Sequence, residues 1–273
     1  MLAAAACHAG WNALLKLKLE PVIATVLVAV AASVLVLPLL ALTPPPAPAA
    51  WPYVIASAVI HVGYFVSLAE AYRWGDLTQV YPIARGTAPL LTAALASLWL
   101  EEALGLVGWI GISVLAGGIL LLTIKGGRPM ARFDHRAIGF ALATSLTITA
   151  YTLVDGLGAR TAGSALSYTL WLFIVDGIVM SIYGWWRIGG RLIEAFGTHW
   201  RMATAGAVLS TAAYAIAIWA MTVAPIALVA ALRETSVLFA ALFGTWLLRE
   251  PLLPARIAAA GLVLAGALLL RLR

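Results

Sequence analysis

Charge is what this sequence has least of. Only 10% of its 273 residues are Asp, Glu, Lys or Arg, against about 25% in an average soluble domain. A hydrophobic content of 63% exceeds what one water-soluble core of this size can hide, so lipid must act as solvent for much of the surface. Cysteine is nearly absent: Cys7 stands alone, which excludes an intrachain disulfide and any cysteine-based metal site. A basic leader before the first apolar run is also missing, because Lys16 and Lys18 follow that run, and the N-terminus does not read as a signal peptide. The charge that exists is mostly positive, with 17 Lys and Arg against 11 Asp and Glu. It lies in short gaps between apolar runs and forms no long basic stripe. It therefore reads as membrane-flanking charge and not as a nucleic-acid surface.

What is present is a succession of apolar runs. A helix needs about 20 such residues to cross the hydrocarbon layer. Ten runs qualify, at roughly 1–16, 21–43, 52–72, 78–99, 103–124, 137–158, 165–187, 202–221, 225–247 and 252–271. Backbone groups in lipid must bond within their own segment, so these are expected to be helices. A membrane barrel would show short alternating segments instead. The connections carry turn chemistry. The segment 43–51 (TPPPAPAAW) is closed to helix by its prolines, 73–76 and 224–227 read as tight turns, and 125–136 and 187–201 are the longest polar stretches.

The two halves of the chain resemble each other. A shift of 148 residues lays Arg85 on Arg233, Thr87 on Thr235, Glu102 on Glu250, Leu104 on Leu252 and Gly118 on Gly266. Matches of Leu and Ala are cheap in this composition; the paired Arg-x-Thr and Glu-x-Leu motifs are informative. The expected organisation is a first five-helix repeat at 1–124, a connecting loop at 125–136 and a second five-helix repeat at 137–273. Five spans is an odd number, so the second repeat must enter the membrane from the opposite side. The fold class is an all-α integral membrane protein of about ten transmembrane helices in two inverted five-helix repeats, an architecture shared by many secondary transporters. Lys16 corresponds to about Arg160, which maps residue 1 near Ser145, eight residues into span six. The first span thus reads as short, with the real start expected upstream.

Lysine and arginine counts orient the chain. The odd-numbered loops hold twelve, among them Lys16, Lys18, Arg73, Lys125, Arg136, Arg187 and Arg201. The even-numbered loops and the C-terminal tail hold three, Arg160, Arg271 and Arg273. The count places the odd loops in the cytoplasm and both termini outside.

The segments HAGWNALLK (8–16), YPIARGTAPLLTAALASLWLEEAL (81–104) and VAALRETSVLFAALFGTWLLREPL (229–252) carry a resemblance. Each of the latter two ends in a Glu-bearing turn followed by a glycine- or alanine-rich last span. On these grounds the chain resembles, over essentially its whole length, the EamA family of the drug/metabolite transporter superfamily. The resemblance implies ten spans in two inverted halves and export or exchange of amino acids, nucleotide-sugar-like metabolites or other small solutes. It also implies cytoplasmic termini and basic residues between spans two and three. The uncharged segment 43–51 departs from that pattern, and the charge count of this sequence is followed here.

Ionisable groups at bilayer depth are expensive and usually face a cavity or a partner. Mid-span candidates are His8, His61, Arg85, Asp155, Asp176, Arg233 and Glu234. Arg85 and Arg233 form the leading substrate pair: they are repeat-related, and arginine offers a planar fork of donors to a carboxylate or phosphate. The other reading is internal pairing of each with an acid such as Glu234 or Asp155. Tyr81 and Pro82 lie one turn before Arg85, where a proline frees a carbonyl and either lines a pocket or merely curves the helix. Trp11 and Asn12 are read as cavity-facing, with Tyr64, Tyr151 and Tyr214 as further walls. Asp155 and Glu234 are candidate proton carriers, since proton coupling requires a carboxyl that can be neutralised at bilayer depth. His8 and His61 lack metal-ligand spacing and read as hydrogen-bonded core residues. Gly108, Gly111, Gly117 and Gly118 read as points of close helix approach.

The sequence contains no nucleophile elbow, phosphate loop or metal-ligand cluster, so no catalytic residue, metal or cofactor is expected. The function read from it is secondary active transport of a small polar or anionic metabolite, amino-acid-like or another small solute, by alternating access in the plasma or inner membrane. Expected partners are that solute, the lipid bilayer and a second copy of the chain in a homodimer; nucleic acid is not one. The alternatives are a structural or assembly membrane protein and a membrane-embedded enzyme. The orientation is directly testable. A cysteine at Gly127, with Cys7 replaced, should be protected from a membrane-impermeant thiol reagent in intact cells; ready labelling there means cytoplasmic termini instead.

Overall fold

The computed structural model describes residues 1–15, 21–75, 77–124, 134–247 and 254–272. Lys16, Lys18, Asp76, segment 125–133, the second Glu-bearing turn with Arg249 and Glu250, and Arg273 lie outside the described residues. The described chain is helical. Its helices are α1 (Leu2–Leu15), α2 (Pro21–Val36), α3 (Trp51–Trp74), α4 (Leu77–Trp99), α5 (Leu106–Ile124) and α6 (His135–Thr161). These are followed by α7 (Ala165–Ile188), α8 (Arg191–Val223), α9 (Ile226–Arg233), α10 (Ser236–Leu247) and α11 (Pro254–Arg271).

Five stretches are long and apolar enough to cross a membrane: Ile23–Leu42, Pro48–Trp74, His135–Thr161, Ala165–Ile188 and Arg191–Val223. Two shorter apolar helices cover Leu106–Leu122 and Ile257–Arg271. The protein is a multi-pass membrane protein. Helices α4 and α9 fall outside both groups, and they carry Arg85 and Arg233.

Two expectations are corrected. The stretch 187–201 is not a long polar loop. Gly189 takes a left-handed φ of 56° and bonds its N–H to Trp185 O at 2.8 Å, which closes α7. Only Gly189 and Gly190 then separate α7 from α8, which absorbs the remaining polar residues as its first turns. The run 225–247 is not one helix. The N–H groups of Glu234 and Thr235 bond to Ala231 O and Leu232 O, three residues back, and Thr235 Oγ1 also bonds to Leu232 O at 2.7 Å. This tight turn breaks the span into α9 and α10 directly after Arg233. By contrast α4 continues through Pro82 and Pro89, as neighbouring helices in a bundle permit.

The packing keeps the symmetry of the sequence repeat. Helix α3 packs on α6 as α8 packs on α1; α4 packs on α6 as α10 packs on α1; α2 meets its own counterpart α7, and α5 meets α11. The connections sort into two groups. Ala47 N–H bonds to Ala162 O at 3.1 Å, Ser167 Oγ to Pro44 O at 2.6 Å, and Arg160 reaches both Glu102 and Ala224 O. The connections after α2, α4, α6 and α8 therefore lie together. The end of α3 and the start of α6 meet elsewhere, where the Arg136 guanidinium stands 4.5 Å over the Trp74 ring.

The α5–α11 contact is set by glycine. A Cβ on Gly266 would fall 2.6 Å from Gly111 O, and one on Gly118 would fall 2.8 Å from Leu262 Cβ. Gly117, expected at a close approach, faces outward with nothing within 4 Å of such an atom. Gly266→Val should therefore lower stability by about 1–3 kcal/mol through overpacking. Gly117→Ala should leave it unchanged or slightly raised. Melting temperatures in detergent decide between these outcomes.

Candidate functional site

Arg85 and Arg233 both face a central cavity of about 140 Å³. Its wall takes His8 and Trp11 from α1, Val28 from α2, His61 and Tyr64 from α3 and Arg85 from α4. From the second half come Tyr151 of α6, Asp176 of α7, Tyr214 of α8 and Arg233 of α9. Four helices of each half contribute, so the cavity lies at the junction of the repeats. A smaller void of about 10 Å³ adjoins it, also lined by both arginines and by Glu234.

The two arginines are not equivalent. Arg85 is buried, with Nε 2.9 Å from Glu234 Oε2, which is equally buried. The contact falls short of aligned hydrogen-bond geometry and is held by charge. Its Nη2 lies 3.2 Å from His8 Nε2, and its Cζ stands 5.9 Å over the Tyr81 ring. Arg233 is half-buried and makes no ion pair among the described residues; its Cζ stands 5.2 Å over the Tyr214 ring. The repeat explains the difference. The residue after Arg233 is Glu234, whereas the residue after Arg85 is Gly86, which a Cβ would drive to 2.9 Å from Leu120. One half supplies an acid and the other a close helix contact, so two cations share one carboxylate.

Three groups not assigned to the site from sequence line the cavity. Trp11 Nε1 donates to His8 Nδ1 at 3.2 Å. A neutral imidazole has one acceptor nitrogen, so His8 accepts either from Trp11 or from Arg85, not from both. His61 Nδ1 lies 3.3 Å from Asp176 Oδ2, with its ring stacked on Tyr151 at 4.5 Å. Asp176 and Val28 are partners under the 148-residue shift, and both line the cavity. A polar residue in one half opposite an apolar one in the other was the available signal. His8 sits one turn before the Trp11–Asn12 pair already read as cavity-facing.

The remaining predicted residues stand as follows. Trp11, Tyr64, Tyr151 and Tyr214 line the cavity. Asn12 turns its amide back to His8 O at 2.8 Å and lies outside the lining, as does Tyr81, which contacts Arg85 instead. Asp155 is fully buried behind the wall, where it accepts from Tyr168 O–H at 2.9 Å and from Tyr214 O–H. Tyr214 thus joins the hidden acid to the ring under Arg233. The close approach of Gly158 to the Tyr168 ring fixes that tyrosine against Asp155.

A two-repeat helical membrane protein with a charged cavity at the repeat junction is built as a transporter is built. The family model of the EamA-like transporter family matches residues 1–124 and 135–272. The chain belongs to that family, within the drug/metabolite transporter superfamily. One solved structure, described only as the crystal structure of a protein, superposes with a TM-score of 0.76 at 16% identity, over 99% of this chain and 94% of that one; the likeness is one of fold. The comparison with curated proteins gave no match.

The Asp155 cluster generates a test. Tyr168→Phe removes one donor from a buried carboxyl and should destabilise the protein by about 1–3 kcal/mol. Adding Asp155→Asn should restore part of that loss, since a neutral amide suffers less from the missing donor. A Tyr168→Phe protein that melts with the parent would mean the hydroxyl is not a needed partner.

Proposed function

We propose that the protein is a secondary active transporter moving a small polar or anionic metabolite, amino-acid-like in its charges, by alternating access. Export or exchange across the plasma or inner membrane is the expected direction. The observation that carries this reading is Arg233: a guanidinium with no ion pair of its own among the described residues, facing a cavity lined by four helices of each half. Two cations that share the single Glu234 carboxylate leave positive charge in excess at bilayer depth, which is expensive, and an anionic solute is the partner that would balance it. Asp176 with His61 gives the same cavity an acidic pole. A solute with a carboxylate and an ammonium group satisfies both. We read 1–124 and 137–273 as repeats of five spans each, entering from opposite sides. The grouping of the connections after α2, α4, α6 and α8 apart from the junction of the end of α3 with the start of α6 supports alternate crossings and hence inversion.

Arg85 and Arg233 should separate on substitution. Arg85→Leu leaves Glu234 buried without its cation and should destabilise by about 3–5 kcal/mol. Arg233→Leu removes no ion pair, so it should keep the fold within a few degrees of parent melting temperature and abolish solute uptake. Arg233→Lys keeps the charge but loses the fork, and should weaken uptake. Uptake of radiolabelled amino acids and small carboxylates by proteoliposomes, with melting temperatures alongside, tests all three. A stable Arg233→Leu protein with full uptake would remove Arg233 from the site.

A further inference from the structure

Glu102, from the repeated Glu-x-Leu motif, takes no part in the cavity. The chain leaves α4 through Glu101, whose φ of 53° is left-handed, and Glu102 N–H bonds to Ala96 O at 3.3 Å. This closure aims the Glu102 side chain away from its own half. Among the described residues its carboxylate hydrogen bonds all reach the second half. Oε1 accepts from Arg160 Nη2 at 2.8 Å and from Ile226 N–H at 3.0 Å; Oε2 lies 3.4 Å from Ala227 N–H. Arg160 in turn donates through Nε to Met221 O at 2.9 Å and through Nη2 to Ala224 O at 3.0 Å. One carboxylate caps the start of α9, one guanidinium caps the end of α8, and the two cap each other.

What α9 carries gives this contact its consequence. The helix has eight residues, about 12 Å of length. Its first residue is held by Glu102, its last is Arg233, and Glu234 follows in the tight turn that frees it from α10. A short rigid strut thus joins the Glu102–Arg160 pair to the charges of the cavity. The pair itself is only partly shielded, with the Arg160 side chain 33% exposed and that of Glu102 9%. A fully exposed pair would hold little; a fully buried one would be hard to part.

We propose that Glu102 and Arg160 form the gate that seals the cavity toward the face holding the connections after α2, α4, α6 and α8, and that releasing Glu102 from α9 opens this face while shifting Arg233. The inference rests on the transporter reading, but its test needs no solute.

The experiment is side-selective alkylation in proteoliposomes, with Cys7→Ala as background and Ser210→Cys as the reporter in the cavity wall. A second reporter, Gly105→Cys, is exposed beside the gate and measures how much protein presents that face outward. A membrane-impermeant maleimide should reach Ser210→Cys slowly from the gate face in the parent. Glu102→Gln and Arg160→Met should each speed this about tenfold or more, the loss of one charge-assisted hydrogen bond. Arg160→Lys should stay near the parent rate. Parent-like rates in monodisperse Glu102→Gln and Arg160→Met proteins would overturn the gate. Equal acceleration from both faces would overturn it too, because it marks a loosened fold. Failure of both variants to fold would show a structural brace. A protein that moves no tested solute yet shows the one-sided acceleration would sink the transport reading and keep the gate.

Discussion

A charge at the depth of a bilayer must have a partner, and the Arg85–Glu234 pair is where this protein meets that demand. The pair spans the two halves, tying α4 of the first to the turn between α9 and α10 of the second. It uses the only acid adjacent to either repeat-related arginine. Arg233 is thereby left facing the cavity over an aromatic ring, with no ion pair of its own among the described residues. The break after α9 follows from the same arrangement: a continuous helix would carry Glu234 around with its neighbours, while the tight turn presents it to Arg85.

The halves are alike in packing and unlike in chemistry. Helix pairs repeat under exchange of the halves, yet Glu234 is matched by Gly86 and Asp176 by Val28. The symmetric part supplies two similarly packed halves with a cavity at their junction. The asymmetric part supplies a site with a defined cationic side and a defined acidic side. The second half carries both the Arg233 fork of donors and the Asp176 carboxylate, while the first half contributes His8, His61 and the paired Arg85 to the same wall.

Much of this was legible in the sequence because lipid makes composition decisive. The apolar runs and the paired Arg-x-Thr motifs needed no structure. Arg85, Arg233 and the tyrosines could be singled out because polar side chains in such runs are rare. The partners could not. Glu234 and Asp155 were equal candidates for Arg85, and spacing along the chain does not say which helices touch. His61 and Asp176 lie on α3 and α7, 115 positions apart, and only the fold brings them together. The break at Glu234–Thr235 was hidden for a different reason: the run holds no glycine or proline near the break, and the turn arises from backbone bonding and a threonine hydroxyl within the polar stretch 233–236. Glycines 189 and 190 were visible, but their meaning as a complete connection depended on Arg191–Trp200 being helical.

The central claim is that Arg233 is the free anion anchor of the cavity. The most direct measurement is a thermal-shift screen of the purified protein and its Arg233→Lys variant against one library of carboxylates, zwitterions, amines and neutral solutes, since a bound solute stabilises the folded state. The account predicts that stabilising solutes carry a carboxylate or similar anion, and that their stabilisation falls away in Arg233→Lys while the unliganded melting temperature holds. Equal stabilisation of both proteins, or hits confined to neutral and cationic solutes, would contradict it.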